Sequence, residues 1–279
     1  MINFKSYNIL TYIILLSIGC TFITCSKDGE GQKLPKREWT IAWSDEFNDN
    51  LVASPDVSKW SFNIGVGPNN DGWGNQELQY YTDRLDVVST DGKGNLRIVA
   101  KKENLNNREF ISGRIMTKGK FSQKYGKIEA RIKTPSGPGI WPAFWLLGNN
   151  IDTVQWPNCG EIDIMEQKGN QPNTVFGSLH GPGYSGGNSK SGTYSLMNDR
   201  FDNDFHIYAV EWYEDRIDYF VDGYLYNRIN KTDVSGKWVF DQPFFIILNV
   251  AVGGNFVGFP NVNTAFPQTM QVDYVRVYK

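Results

Sequence analysis

Residues 159–169 read Cys-Gly-Glu-Ile-Asp-Ile-Met-Glu-Gln-Lys-Gly and place three carboxylates in the pattern Glu161-x-Asp163-x-x-Glu166. From Glu161 to Ile164 polar and apolar residues alternate, as in a half-buried strand. Glu161 and Asp163 therefore face one side, and Ile162 and Ile164 the other. Strict alternation would put Met165 on the acidic face and Glu166 on the apolar face. One extra residue held in a β-bulge repairs this: Met165 turns inward and Glu166 rejoins its partners. Glu161 and Glu166 then lie about four strand steps apart, roughly 13 Å between Cα atoms. Side chains reaching along the sheet bring their carboxyls to about 5–6 Å, near the separation of a pair that cleaves a glycosidic bond with retention. One would attack the sugar carbon while the other protonates the leaving oxygen. Asp163, shorter and between them, would share a proton or hydrogen bond with Glu161 and spread the acidities apart. A solvated edge strand can also carry acids, but like charges side by side destabilise a sheet, so three on one face call for a reason.

The rest of the chain must hold this strand in place. From about Arg37 to the end it consists of short alternating runs separated by Gly, Asn, Asp and Pro, with no long stretch of helical period. The clearest runs are 39–43, 60–64, 77–82, 95–100, 110–117, 125–134, 141–147, 173–180, 205–212, 216–221, 224–229, 244–252 and 271–278. Asp222-Gly223 is a hairpin turn between two of them. This organisation predicts one all-β domain, a two-sheet sandwich. Residues 181–192 read as a Gly/Ser loop rimming a cleft.

Several residues near these runs suit recognition of a sugar. Trp141 and Trp145 share parity with Ala143, while Phe144 and Leu146 face the other way. Two aromatic faces on one strand suggest that one lines a cleft rather than the core, since Trp rarely goes fully buried. Trp156, just before the acidic strand, is a similar candidate. Arg114 on its strand would hydrogen-bond sugar hydroxyls through its planar fork, or pair Glu129 or a carboxylate of the acidic group. Asn63 is a candidate of the same kind. His180 ends the strand after the acidic one and would tune Glu166, bind sugar, or serve a structural role. Gly183-Tyr-Ser-Gly-Gly187 matches the G-x-S-x-G elbow of serine hydrolases, but no helical periodicity follows it, so that reading is rejected. Asp273 falls by alternation on the face of Val275 and Val277, where a carboxylate needs a partner.

The 279 residues carry a formal charge of -2, three Cys and two His, with nine Trp and 14 Tyr. There is no basic patch for nucleic acid, and too few Cys and His for a zinc site of the usual spacing. Residues 1–25 combine Lys5 with the apolar run 9–19, the layout of an export signal. Cys25 before Ser-Lys-Asp resembles the start of a lipoprotein, with Cys20 as the alternative lipidation point. This predicts export as an outer-membrane or cell-surface lipoprotein, otherwise a secreted or periplasmic protein, with the lipid as its one tie to the membrane. Residues 26–36 read as a flexible tether and 37–279 as the catalytic domain. Cys159 is then alone in the folded part, which excludes a disulfide framework. Nothing suggests an obligate partner, so a monomer is expected.

Gly160–Glu166 (GEIDIME) resembles the catalytic signature of glycoside hydrolase family 16 in its bulged form. Gly139–Gly148 (GIWPAFWLLG) and His180–Gly187 (HGPGYSGG) resemble its bacterial laminarinase branch, and the likeness runs from about Trp39 to Tyr278. It implies a concanavalin A-like jelly roll with a substrate cleft across its concave sheet. It implies endo-hydrolysis of β-1,3-glucan with Glu161 as nucleophile, Glu166 as acid and then base, and Asp163 orienting the nucleophile. No cofactor is expected for that chemistry. The resemblance favours substrate binding for Arg114, and it also implies a structural calcium held by Asp273, Glu46 and the Gly94 carbonyl. Mixed-linkage β-1,3-1,4-glucan and algal galactan remain alternative substrates. In a different class, a non-catalytic glucan-binding protein is the alternative, although relatives of that kind lose the carboxylates that this chain keeps.

Overall fold

The computed structural model describes residues 37–279 and, ahead of them, the short strand Gln32–Lys33. Gln32 and Lys33 pair with Leu225 and Tyr224. The expected export signal, both candidate lipidation cysteines and the rest of the tether lie outside the described residues.

Two sheets form a jelly-roll sandwich, as the alternating runs predict. One sheet has seven strands in the order Lys190–Ser195, Thr174–His180, Glu161–Glu166, Ile140–Gly148, Phe244–Val252, Arg114–Met116, Ser61–Phe62. The other has eleven, with Gly126–Lys133 and Gln268–Tyr278 at its centre. The acidic strand is thus an interior strand of the smaller sheet, paired antiparallel on both sides. Its inward residues Ile162, Ile164 and Met165 are buried in the core between the sheets, together with Phe144, Trp60, Trp212 and Tyr208. Each such side chain contributes on the order of 1.5–3 kcal/mol of burial.

Phe244–Val252 is buried along its whole length. One of its faces meets the core. On the other, Phe245 and Ile247 join Leu147 and Cys159 under Trp145, Ile151 and Val154. Asn249 has the outward parity of Phe245 and Ile247, and so breaks this apolar row on the face that carries the carboxylates.

Two expectations change. The run 110–117 is not one strand: Arg108–Ser112 belongs to the larger sheet and Arg114–Met116 to the smaller. Gly113 is the crossing point, where a Cβ would overlap Val88 Cγ2 and press on Ile98. Gly113 alone, with no proline or polar cluster beside it, marks the break between Ser112 and Arg114, so the pattern of residue types did not show it. The Gly/Ser loop also ends early, because Lys190–Ser195 forms the edge strand of the smaller sheet. Only Tyr194 in it is buried, which left almost no alternation to read.

Gly113→Ala is expected to destabilise the protein by about 1–3 kcal/mol through overpacking. Denaturant unfolding monitored by tryptophan fluorescence measures this, and a wild-type midpoint would refute the crossing-point argument.

Candidate active site

The bulge is present. Along the neighbouring strand, Phe144 pairs with Met165 and Trp145 with Asp163, so Ile164 is passed over. On the other side the register shifts between Asp163 and Glu166. Ile164 and Met165 are consecutive and both buried, while Glu161 and Glu166 remain partly open on the opposite face. Asp163 lies between them at 3 % exposure.

The flanking strands supply the partners. Glu161 stands opposite His180 across the sheet. His180 Nε2 is 3.0 Å from Asp163 Oδ2 and 3.8 Å from Glu161 Oε1. Its Nδ1 accepts a hydrogen bond from the Gly186 N–H at 3.0 Å, so the proton of the neutral ring sits on Nε2. That contact is close but poorly aligned, and Asp163 Oδ2 is left buried without a well-formed hydrogen bond. The Asp163 and Glu161 carboxyls have oxygens within 4.8 Å of each other. Trp141 Nε1 donates to Glu166 Oε1 at 3.0 Å.

Burial dominates the electrostatics. It pushes the Glu161 carboxyl up to about 8, reinforced by the charge of Asp163 and opposed by His180 and Arg114. Asp163 is raised by burial as well. Glu166 is held well above the carboxylate range by burial, then by the charge of Asp163, with the indole of Trp141 pulling the other way. Burial and mutual repulsion thus favour the protonated forms across the cluster, which titrates as a unit.

Every sugar-binding candidate borders this cluster or the wall next to it. Trp141 and Trp145 point outward while Phe144 and Leu146 are buried beneath them. Trp145 Nε1 donates to Asn249 Oδ1 at 2.7 Å. Trp156 is 44 % exposed, with its ring 6.0 Å from that of His180. Arg114 does not pair Glu129, whose partners are Tyr278 and Lys127. Its guanidinium lies between two indoles instead, with Cζ 4.5 Å from the ring of Trp73 and 4.9 Å from that of Trp145. Asn63 N–H donates to the Arg114 carbonyl. Arg114 Nε, Asn63 Oδ1 and Trp73 Nε1 are all buried without a hydrogen-bond partner. Orphaned polar atoms beside flat indoles suit the hydroxyls and pyranose faces of a sugar.

Sequence reasoning missed Trp73, Phe176 and Phe256. Trp73 adopts a left-handed backbone, φ 57° and ψ 29°, a costly conformation for a bulky residue. The available signal was an indole between two glycines in a polar loop. Phe256 lies 5.2 Å from Trp141 and 5.3 Å from Phe176, ring to ring, with Lys168 Nζ 4.5 Å from its centre. These aromatics extend the wall beside Glu166, but they come from separate loops and strands that no spacing connects.

The calcium set needs correction. Val272 and Tyr274 flank a register shift against the central strand, so Asp273 sits in a bulge and leaves the face of Val275 and Val277. It is half-buried and paired with Arg131 at 2.7 Å. Glu46 is gripped by Arg276 through two bonds of 3.0 and 2.7 Å, which hold its carboxyl below the usual range. As placed, these carboxylates are neutralised by arginines and do not fit a calcium cage. Among the described residues, Glu161, Asp163 and His180 are the one group of three His, Cys, Asp or Glu close enough to hold a metal ion. Those atoms are also the ones a carboxylate mechanism employs directly.

Carboxyl groups that hold and release protons beside stacked indoles suit the cleavage of glycosidic bonds, and the protein is a glycoside hydrolase. Residues 74–276 match the model of glycosyl hydrolases family 16, and the chain belongs to that family. It is 40 % identical to a beta-glucanase of Rhodothermus marinus over 279 residues, covering 96 % of this chain and 93 % of that one. The catalytic domain of the Thermotoga maritima laminarinase superposes with a TM-score of 0.82 at 49 % identity, covering 87 % of this chain and 99 % of that one. The endo-beta-1,3-glucanase of Pyrococcus furiosus superposes with a TM-score of 0.83 at 43 % identity, covering 90 % and 98 %.

Two outcomes follow from these electrostatics. A carboxyl raised in the fold favours the neutral form, so its stabilising effect is full below the unfolded value near 4.5 and is lost as pH rises toward about 8. Glu161→Gln removes that penalty. Its melting temperature should exceed the wild-type value at pH 8, and the gap should close toward pH 4.5. Thermal scans across that range test it, and a gap independent of pH would contradict the buried-carboxyl account. In addition, EDTA is expected to leave the melting temperature unchanged in the same scans, whereas a drop reversed by calcium would restore the metal site.

Proposed function

We propose that the protein hydrolyses internal β-1,3 linkages of a laminarin-type glucan with retention at the anomeric carbon. Glu161, as the carboxylate, attacks that carbon while Glu166 donates its proton to the departing glycosidic oxygen. The bond to the leaving sugar breaks and a glycosyl ester forms on Glu161. Glu166, now ionised, takes a proton from water, whose oxygen attacks the same carbon and releases Glu161. Asp163 holds a proton in the first step, which leaves Glu161 anionic and oriented. The Trp141 N–H steadies Glu166 as its charge changes. Trp141, Trp145 and Trp156 offer faces for sugar rings, and Arg114, Asn63 and His180 offer polar contacts.

The observation that carries this reading is the bulge, which puts all three carboxyls on one face while Ile162, Ile164 and Met165 are buried. The activities named for the Thermotoga and Pyrococcus relatives support β-1,3-glucan as the substrate.

Wild-type protein should release oligosaccharides from laminarin, with the β-anomer first in time-resolved proton NMR. Glu161→Ser should lose more than about 10³-fold in rate while still binding the polymer. Unchanged turnover in the variant, or the α-anomer first, would overturn the assignment. Binding without turnover by the wild type would make the protein a glucan-binding module.

A further inference from the structure

Beside the catalytic strand lies a buried polar chain that the hydrolysis itself does not use. Glu77 is 4 % exposed, and Gln79 and Tyr81 are fully buried. Glu77 Oε2 accepts from Gln79 Nε2 at 2.6 Å and from the Tyr81 hydroxyl at 3.2 Å. Its Oε1 accepts from Asn75 Nδ2 at 3.2 Å. The Tyr81 oxygen in turn accepts from Asn249 Nδ2 at 3.1 Å, and Asn249 Oδ1 accepts from Trp145 Nε1 at 2.7 Å.

The direction of each bond is determined. An indole only donates, so Asn249 must present its oxygen to Trp145 and its amide hydrogens to Tyr81. With its oxygen occupied, the Tyr81 hydroxyl points its hydrogen at Glu77. Gln79 cannot flip either, because its Oε1 accepts from the Val252 N–H at 2.7 Å. Every donor therefore points toward one acceptor group, the Glu77 carboxylate. The same carboxylate attracts the guanidinium of Arg114. It also ties down the loop that carries Trp73, through the Asn75 side chain and through its own N–H on the Gly72 carbonyl. Trp73 packs against the Tyr81 ring at 5.7 Å.

We infer that Glu77 is a positioning residue for substrate: it holds Trp73 and Trp145 on either side of Arg114, and so shapes the sugar-binding wall without touching the reacting atoms. The inference rests on the glucanase reading above. Both halves of the sandwich converge on Glu77, one through Tyr81 and Asn249, the other through the 72–76 turn. A glutamine in its place removes the negative charge that these donors and Arg114 face. One of its two polar ends becomes an NH2 group, so either Gln79 and Tyr81 lose a buried acceptor or Asn75 must turn its amide around, and the remaining bonds lose their charge assistance. The cost would appear in the wall, while Glu161, Asp163 and Glu166 keep their own partners.

The test uses Glu77→Gln and the milder Tyr81→Phe, which keeps the ring and removes one oxygen. KM and kcat are measured on laminarihexaose, and Kd for the same sugar is measured by calorimetry in a Glu161→Ser background. Both variants should raise KM and Kd about tenfold and leave kcat within about twofold, the signature of lost ground-state and transition-state binding alike. In a Trp145→Phe background, Tyr81→Phe should add little, because the chain it breaks no longer ends on an indole N–H. Should Glu77→Gln fail to unfold cooperatively, Tyr81→Phe decides alone. Unchanged KM and Kd, or a fall in melting temperature and kcat at constant KM, would overturn the positioning role. If the parent protein neither binds nor cleaves the hexaose, the glucanase reading fails and this inference falls with it. If the parent cleaves and only the variants behave as wild type, the glucanase reading stands and Glu77 is a structural residue.

Discussion

The constraint that governs this molecule is the removal of three carboxyl groups from water on one face of a sheet. Two ionised carboxylates about 5 Å apart repel by roughly 3 kcal/mol at an effective dielectric constant of about 20, which corresponds to about two pKa units. Burial adds to that cost. The cluster therefore cannot be fully ionised at neutral pH, and acid chemistry needs a group that still carries its proton there. The partners around it divide the protons: an indole N–H on Glu166, an imidazole beside Asp163, and the Asp163 carboxyl beside that of Glu161.

Such a cluster needs a stiff support, and the sandwich supplies one. The acidic strand is interior to its sheet and hydrogen-bonded on both sides, and its inward residues are locked in the core. The bulge is what reconciles these demands. A regular strand would turn Glu166 into the core and Met165 out of it, burying a carboxyl away from its partners and exposing an apolar side chain. The same device misled the reading of Asp273, where a second bulge turned an expected inward carboxylate toward Arg131. Alternation is a sound guide to strand faces only between bulges.

The wall of the cleft depends on a different principle. Arg114 is held by two indoles rather than by a carboxylate partner, so its Nε remains free of the protein's own hydrogen bonds. Its position follows from Gly113, which lets the chain step from one sheet to the other immediately before it. The strained Trp73 turn and the hydrogen bonds converging on Glu77 keep the sandwich closed. Stacking surfaces and unsatisfied donors are thus presented together, while the groups that hold them in place are buried and satisfied.

The acidic signature, its bulge and the faces of the tryptophan strand were legible in the sequence, because they rest on local chemistry. A strand has period two, an isoleucine prefers the core, and a glutamate stranded on the wrong face demands an extra residue. The all-β class followed from the same periodicity. What the sequence could not carry is everything set by which strands become neighbours. Gly113 divides one apparent strand between two sheets, Trp73 reaches Arg114 from a loop some forty positions earlier, and Phe256 meets Trp141 from a loop more than a hundred positions later. Glu77 reads as an ordinary polar residue at the start of a strand until folding places Tyr81, Asn249 and Trp145 in line with it. These contacts arise from packing between distant segments, and only the tertiary structure decides that packing.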